Sequence, residues 1–135
     1  MILDVVTPEG AKIKALDVRE LTVPGVLGEM GVLPAHEAFA TALTVGVMTI
    51  VTETGPVAYA LAGGFIEVLG DHVRILTETC ERGDEIDRER AKAKLDEATQ
   101  RLQQFAPADG EKYRVALDSV RKAETRLLVA RPANA

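Results

Sequence analysis

Glycine and proline divide this chain into two regions that must fold by different rules. Up to residue 78 they recur often, in breaks at residues 7–10, 24–25, 46, 55–56, 63–64 and 70–71. Between Asp84 and Ala106 neither residue occurs. Glycine gives a turn its backbone freedom and proline gives it a fixed φ. The first region is therefore predicted to be short strands joined by turns, and the second to be helical.

The runs between the breaks are short and rich in Val, Ile and Thr, which is typical of an all-β sandwich. The predicted strands are residues 2–6, 11–16, 18–23, 31–34, 47–53, 57–61, 65–69 and 72–77. Gly70 and Asp71 lie between two apolar runs and predict a two-residue hairpin loop with glycine first. An antiparallel β-sandwich is predicted for residues 1–83.

Residues 84–135 predict an antiparallel hairpin of two amphipathic helices. Apolar side chains recur at spacings of three and four, in one stripe at Ala91, Leu95, Ala98, Leu102 and Phe105 and in another at Tyr113, Ala116, Val120, Ala123, Leu127 and Ala130. Asp87 is the expected N-cap of the first helix and Asp109 that of the second, with Pro107 interrupting the pattern between them. The fold class is therefore α+β, a sandwich followed by a helical hairpin.

Small side chains are common on the facing stripes. Alanine fills two of the five positions on the first helix and three of the six on the second. Each buried methylene contributes only about 0.8 kcal/mol, so these stripes bury little. Two interpretations stay open: a helical hairpin docked stably on the sandwich, and one that opens or detaches.

Composition and charge exclude several classes of protein. The sequence has 135 residues, of which 47% are apolar and 27% charged, an ordinary globular mixture. Residues 1–80 carry a net charge of −6 and residues 81–135 a net charge of +1, which argues against a nucleic-acid partner. Neither a targeting segment nor a membrane-spanning run is evident, so a soluble chain is expected. Cys80 has no disulfide partner and is expected to be buried.

No constellation of catalytic residues is visible. His36 and His72 are 36 residues apart and belong to no metal-ligand spacing. The sequence lacks GxSxG, and Gly63-Gly64 lacks the flanking residues of a phosphate-binding loop. We therefore predict no catalytic residue and no metal site.

The segment at residues 21–41 is the first with a possible binding role. Gly25, Gly28 and Gly31 follow one another at threefold spacing, which predicts a tightly folded loop rather than a regular element. Glu29 and Met30, expected to be exposed near its tip, predict a contact surface. The alternative is a long connection with no partner.

The second such segment is the start of the first helix. Asp87 and Arg90 could pair with each other, or they could hold a ligand. In the latter case Asp87 accepts from an amino group and Arg90 donates to a phosphate. The alternative is a capped helix start with solvated charges.

Several strings, in this order, resemble the epsilon subunit of F-type ATP synthases of bacterial and chloroplast type. They are VPGVLGEMGVLPAH at residues 23–36 with Thr41 and Gly46 beyond, AGGFIEV at 62–68, VRIL at 73–76 and IDRERA at 86–91. They extend across nearly the whole chain.

The resemblance implies a non-catalytic rotor subunit of the central stalk in a proton-translocating ATP synthase. Its implied partners are the gamma subunit, the c-ring and, when the helical hairpin extends, the alpha and beta catalytic subunits. The implied location is the cytoplasmic face of the cell inner membrane, as a peripheral component. The loop with Gly28, Glu29, Met30 and His36 resembles the ring-facing segment of the family, and the helical hairpin resembles its element that inhibits ATP hydrolysis.

In some bacterial members ATP binds the folded helical hairpin. The residues that match that site are Glu81, Ile86, Asp87, Arg90 and Ala91, with Lys122 and Arg126 on the second helix. Glu97 is a departure, because nucleotide-binding members have a further basic residue there and a carboxylate repels phosphate. The resemblance implies ATP as a possible regulatory ligand and no required cofactor.

Two rival functions remain from the residues alone. A β-sandwich adaptor whose helices bind a partner fits the two periodicities but leaves the matched strings unexplained. An enzyme is disfavoured because no acid, base, metal or nucleophile constellation is present.

Overall fold

The computed structural model describes residues 1–35 and 37–130 and contains eight strands followed by two helices. The strands are β1 Ile2–Thr7, β2 Gly10–Asp17, β3 Glu20–Gly25, β4 Gly28–Val32, β5 Phe39–Thr52, β6 Gly55–Leu69, β7 His72–Leu76 and β8 Cys80–Arg82. The helices are α1 Arg88–Leu102 and α2 Glu111–Val129, and single 3₁₀ turns occupy Gly83–Glu85 and Pro107–Asp109. The predicted fold class, a β-sandwich followed by a helical hairpin, is confirmed.

One hydrogen-bonded sheet forms both layers of the sandwich. Its strand order is β2-β1-β7-β6-β5-β3-β4, with β8 paired to β6, and only the β1–β7 pair is parallel. Residues 39–43 of β5 pair with 64–68 of β6, whereas 45–52 pair with 55–62. β7 continues the sheet beside the second half of β6, and β8 continues it beside the first half. The first layer is thus β2-β1-β7 with one half of β6 and β5, and the second is β8 with the other halves, β3 and β4.

The crossing between the layers depends on Gly63 and Gly64, which have φ of +88° and +132°. A Cβ on Gly64 would lie 1.9 Å from the carbonyl oxygen of Leu76, so a side chain cannot fit there. The predicted strand end at this pair is wrong, because glycine here bends a continuous strand. Thr77 supports the bend, since its Oγ1 donates a hydrogen bond of 2.5 Å to the carbonyl of Gly63.

The core lies between the two layers. Alternate residues of each strand point inward, as in β7, where Val73 and Ile75 are buried and their neighbours are exposed. Cys80 joins this core from β8. It is buried as predicted, and burial raises the pKa of its thiol to about 12, which keeps it protonated and unreactive at neutral pH.

Strand boundaries were predicted less well than strand existence. The two-residue loop Gly70–Asp71 is confirmed, with Gly70 at φ of +61°. The loop predicted from Gly25, Gly28 and Gly31 is wrong, because β3 and β4 form a regular hairpin there. β5 begins eight residues before the predicted start at residue 47, and β8 was not predicted.

The two helices pack on each other and α2 lies against β5 and β6 of the second layer. Both predicted stripes face inward: none of their residues is exposed, whereas most other positions of the helices are. Asp109 was wrongly predicted to cap α2, because its Oδ2 accepts instead from the backbone N–H of Ala106 at 2.7 Å. Among the described residues, no helix is long and apolar enough to span a membrane.

Candidate functional site

The start of α1 carries two of the predicted binding residues. Asp87 is the N-cap, as predicted, and its Oδ1 accepts a hydrogen bond from the backbone N–H of Arg90 at 3.1 Å. The carboxylate therefore caps the helix rather than pairing with the Arg90 guanidinium. The Arg90 side chain is exposed and forms no ion pair with any described residue.

Ile86 and Ala91, also predicted for this site, are buried where the helices meet the sandwich. They belong to a small apolar cluster, which we call the docking cluster; its buried members are Ala60, Ile86, Ala91, Val129 and Ala130. Val47 and Leu127 pack against its edge. These contacts fix the base of the helical hairpin on the outer face of the second layer.

Glu81 and Arg126 meet directly. The Arg126 Nε–H donates to Oε1 of Glu81 at 2.8 Å, and its Nη2–H donates to Oε2 at 3.1 Å. Both side chains are partly buried, at 30% exposed for Arg126 and 28% for Glu81. A bidentate, charge-assisted pair of this kind occupies both carboxylate oxygens and two donors of the guanidinium.

Lys122 lies one helical turn before Arg126 on α2. Its Nζ is 3.1 Å from Oδ2 of Asp118, so this cation is also paired. A gap of only about 20 Å³ lies against β6 and is lined by Lys122, Arg126, Glu81 and Thr79. Small-molecule sites usually have volumes of about 300–1,000 Å³, so this gap beside Glu81 is too small for a nucleotide.

A larger cleft lies between α1 and α2. It has a volume of about 240 Å³ and is lined by Lys94, Glu97, Ala98, Arg101, Ser119 and Lys122. Glu97 occupies the position at which the sequence comparison with nucleotide-binding members expects a basic residue. Its Oε1 is 3.6 Å from Nη2 of Arg101. Three cations and one carboxylate therefore face this cleft.

Lys94 and Arg101 were not predicted to lie at a site. Their spacing from Glu97, three residues before and four after, places all three on one helix face and was the available signal. The structure thus brings Glu81, Lys122 and Arg126 together and gathers Ile86 and Ala91 nearby. Asp87 and Arg90 lie at the exposed start of α1.

The connection between sandwich and helices is held by charged side chains. Lys12 of β2 donates a hydrogen bond to Oε2 of Glu85 in the 3₁₀ turn, and Oε1 of Glu85 accepts from the backbone N–H of Arg82 at 3.1 Å. The Lys12 hydrogen bond lowers the pKa of the Glu85 carboxyl, and in return Glu85 raises the pKa of Lys12. The turn is therefore fixed to the first layer of the sandwich.

The second predicted surface is the β3–β4 hairpin. Its tip is Val26 and Leu27, and Leu27 is fully exposed at 101%. Gly28 follows at φ of +127°, and Glu29 is exposed as expected. Met30, predicted to be exposed, is instead half-buried against the core, because its side chain points into the sandwich. His36, the fourth predicted residue, lies outside the described residues.

An apolar pair on the outer face of the first layer was not predicted. Phe65 of β6 and Leu76 of β7 are paired across the strands, and both are exposed, at 42% and 45%. Val6 and Pro8 line the shallow depression beside Leu76. Contiguous exposed apolar side chains are one of the features by which protein-binding surfaces are recognised.

Comparison with known proteins identifies the family of the chain. Residues 1–83 match the family described as ATP synthase, Delta/Epsilon chain, beta-sandwich domain. An ATP synthase epsilon chain of Geobacter sulfurreducens is 44% identical over 128 residues, covering 95% of this chain and 91% of that one. The chain belongs to the ATP synthase epsilon-chain family. One from Anaeromyxobacter sp. strain K is 39% identical over 130 residues, covering 96% and 97%.

Solved structures agree with this assignment. A chain in the cryo-EM structure of the Euglena gracilis mitochondrial ATP synthase, OSCP/F1/c-ring, superposes with a TM-score of 0.80 at 28% identity. It is matched over 93% of this chain and 78% of its own length. A chain of the Tetrahymena thermophila central stalk and c-ring, at 18% identity and a TM-score of 0.57, shares the fold. Epsilon chains are accessory subunits of the synthase, so this chain is not a catalytic one.

Proposed function

We propose that this chain is a rotor subunit of a proton-translocating F-type ATP synthase, in which its sandwich joins the gamma subunit to the c-ring. The observation that carries the proposal is that the likeness to epsilon chains covers sandwich and helical hairpin together, over 95% of the sequence. The subunit would then lie at the cytoplasmic face of the inner membrane, as a peripheral component held by its partners.

The β3–β4 hairpin is the proposed c-ring contact. Its tip, Val26 and Leu27, is exposed, and the hairpin itself is anchored because Val23 and Val32 are buried in the core. A rigidly mounted, exposed tip can transmit force without bending, which a rotor contact requires. Gly28 and Glu29 follow directly in β4 and belong to the same surface.

The Phe65–Leu76 pair is the proposed gamma contact. It lies on the outer face of the first layer, whereas the helical hairpin covers the outer face of the second. The sandwich region carries a net charge of −6 over residues 1–80, so a basic, apolar partner surface would complement it.

Reciprocal variants test the two contacts in one experiment. Phe65→Asp is expected to weaken gamma binding at least tenfold and leave c-ring binding within about twofold. Leu27→Asp is expected to do the reverse, so each variant is the control for the other. Binding of purified chain to gamma and to detergent-solubilised c-ring would be measured separately. Failure of the unaltered chain to bind gamma at micromolar concentration would remove the proposal.

The helical hairpin is proposed to regulate ATP hydrolysis by leaving the sandwich and extending along gamma towards the alpha and beta subunits. The docking cluster supports this role because it is small and rich in alanine. A complex assembled with a chain ending at residue 87 should hydrolyse ATP faster than one with the full chain. Equal rates would argue against regulation by the hairpin.

ATP binding to the folded helical hairpin is also proposed, through Glu81, Ile86, Asp87, Arg90, Ala91, Lys122 and Arg126. The exposed guanidinium of Arg90 and the grouping of Lys122 with Arg126 support it. Binding has a cost, because phosphates must replace Glu81 on Arg126 and Asp118 on Lys122. We therefore expect weak binding.

Calorimetric titration of the full chain with Mg-ATP tests this site. The expected result is a dissociation constant in the high micromolar to millimolar range. In Arg90→Ala the dissociation constant should rise at least tenfold. Arg114→Ala removes an exposed arginine from the outer side of α2 and serves as the matched control. An absence of heat from the unaltered chain up to millimolar ATP would eliminate the site.

A further inference from the structure

The helical hairpin has little apolar surface with which to hold the sandwich. In the described residues the docking cluster has five buried members, and three of them are alanine: Ala60, Ala91 and Ala130. Among the described residues, the core of the sandwich has sixteen buried members, and none of them is alanine. Alanine contributes one methyl group, so its burial stabilises a contact far less than that of leucine or isoleucine. Some other interaction must help to hold the helices in place.

The Glu81–Arg126 ion pair is placed to do this. Its partners are 45 residues apart and join β8 of the sandwich to α2. The other ion pairs of the described helices, Arg101–Glu97 and Lys122–Asp118, each stay within one helix. A pair that bridges the two regions is broken when the helices undock, whereas a pair within one helix can persist in both states.

The position of Glu81 in the sheet makes the pair part of the docking interface. Glu81 is the direct cross-strand partner of Ala60, so both side chains point to the outer face of the second layer. Ala60 is buried beneath the helices, and its small side chain leaves room for the guanidinium to reach Glu81. Because the pair is partly buried, salt screens it less than an exposed pair.

We infer that Glu81 and Arg126 hold the helical hairpin on the sandwich in the absence of nucleotide, with the Glu81 carboxylate supplying the anion on Arg126. The docked state is then self-sufficient, and ATP is one competitor for Arg126 rather than the cause of docking. This inference deepens the regulatory role proposed above and rests on it only for its effect in the assembled complex. The docking itself is tested on the isolated full chain without ATP, so a failure of ATP binding would leave it standing.

Hydrogen–deuterium exchange of the nucleotide-free full chain tests the inference. An undocked helix of this length is marginal in water, so exchange of α2 amides reports undocking. Glu81→Gln should accelerate exchange of the amides of residues 120–129 about tenfold. Amides of β7 should keep their protection, which shows that the variant is folded.

Glu97→Gln is the matched control, because it removes the same charge from an exposed pair within α1. It should change α2 exchange by less than about twofold. Equal α2 exchange in Glu81→Gln and Glu97→Gln, with β7 protected in both, would overturn the inference.

Discussion

The sandwich and the helical hairpin bury their apolar faces in very different ways. In the sandwich, large side chains from both layers, such as Leu3, Ile66 and Ile75, are completely buried. In the helical hairpin the most buried stripe residues include Ala91, Ala116, Ala123 and Ala130. Opening the sandwich therefore requires a large free energy, whereas the helical hairpin, held by alanine-rich contacts and the Glu81–Arg126 pair, detaches at a smaller one. A single short chain can thus combine a rigid part with a detachable one.

The largest expected effect lies in the sandwich. Leu3→Ala removes a side chain with no exposure and should lower the free energy of unfolding by about 3 kcal/mol, because it leaves a cavity between the layers. Leu128→Ala changes a side chain that is 78% exposed on α2 and should cost less than about 0.5 kcal/mol. Urea unfolding measures both. Similar losses for the two variants would contradict the proposed difference between the regions.

A smaller effect is expected at the docking cluster. Val129→Ala should favour undocking by about 1.5 kcal/mol, since two methylene equivalents leave a buried site. Val115→Ala makes the same change at a position of α2 that is 60% exposed, so it should have little effect. Limited proteolysis within α2 measures docking in both. The comparison would be contradicted if Val129→Ala lowered the free energy of unfolding of the sandwich by as much as it lowered the free energy of docking obtained from cleavage of α2.

The N-cap of α1 should matter less again. Asp87→Ala removes the acceptor for the Arg90 N–H and should destabilise α1 by about 1 kcal/mol. Asp87→Asn keeps a good N-cap and should recover most of the helicity measured by circular dichroism. If Asp87→Asn were as disruptive as Asp87→Ala, the charge of Asp87 rather than its capping bond would be the important property.

The smallest effect is a pH dependence at the connection between the two regions. The pKa of Glu85 is lowered, chiefly by its hydrogen bond from Lys12. Its stabilising contribution is therefore complete above the ordinary value of 4.5 and is lost as the pH falls through the lower folded value. The urea midpoints of the unaltered chain and Glu85→Gln should differ at pH 7 and converge towards pH 3. A constant difference over this range would show that the Lys12–Glu85 pair does not contribute through its charge.

The contrast between the regions was partly readable from the sequence. The 3–4 spacing of apolar residues correctly predicted both helices and the faces that point inward. Asp87 could be recognised as an N-cap because its side chain bonds to a backbone group only three residues away. Gly63 and Gly64 were misread as a turn, since the sequence does not reveal that Leu76 approaches closely enough to forbid a side chain. β8 was missed because its three residues gain strand geometry only from pairing with β6.

The candidate site followed the same rule. Residues near in sequence, such as Asp87 and Arg90, were placed correctly relative to each other. The pairing of Glu81 with Arg126 was not predicted, because it joins residues 45 positions apart whose distance depends on how α2 docks. Met30 was wrongly expected to be exposed, since the register of β4 turns its side chain towards the core.

Native-state hydrogen exchange at increasing urea concentration tests the central contrast most directly. We expect amides of β6 and β7 to exchange only through global unfolding, with a free energy that falls steeply with urea. Amides of α2 should exchange several kcal/mol more easily, through an opening that depends little on urea. If α2 and the sandwich strands showed the same free energy and the same urea dependence, the chain would unfold as one unit and the detachable helical hairpin would be contradicted.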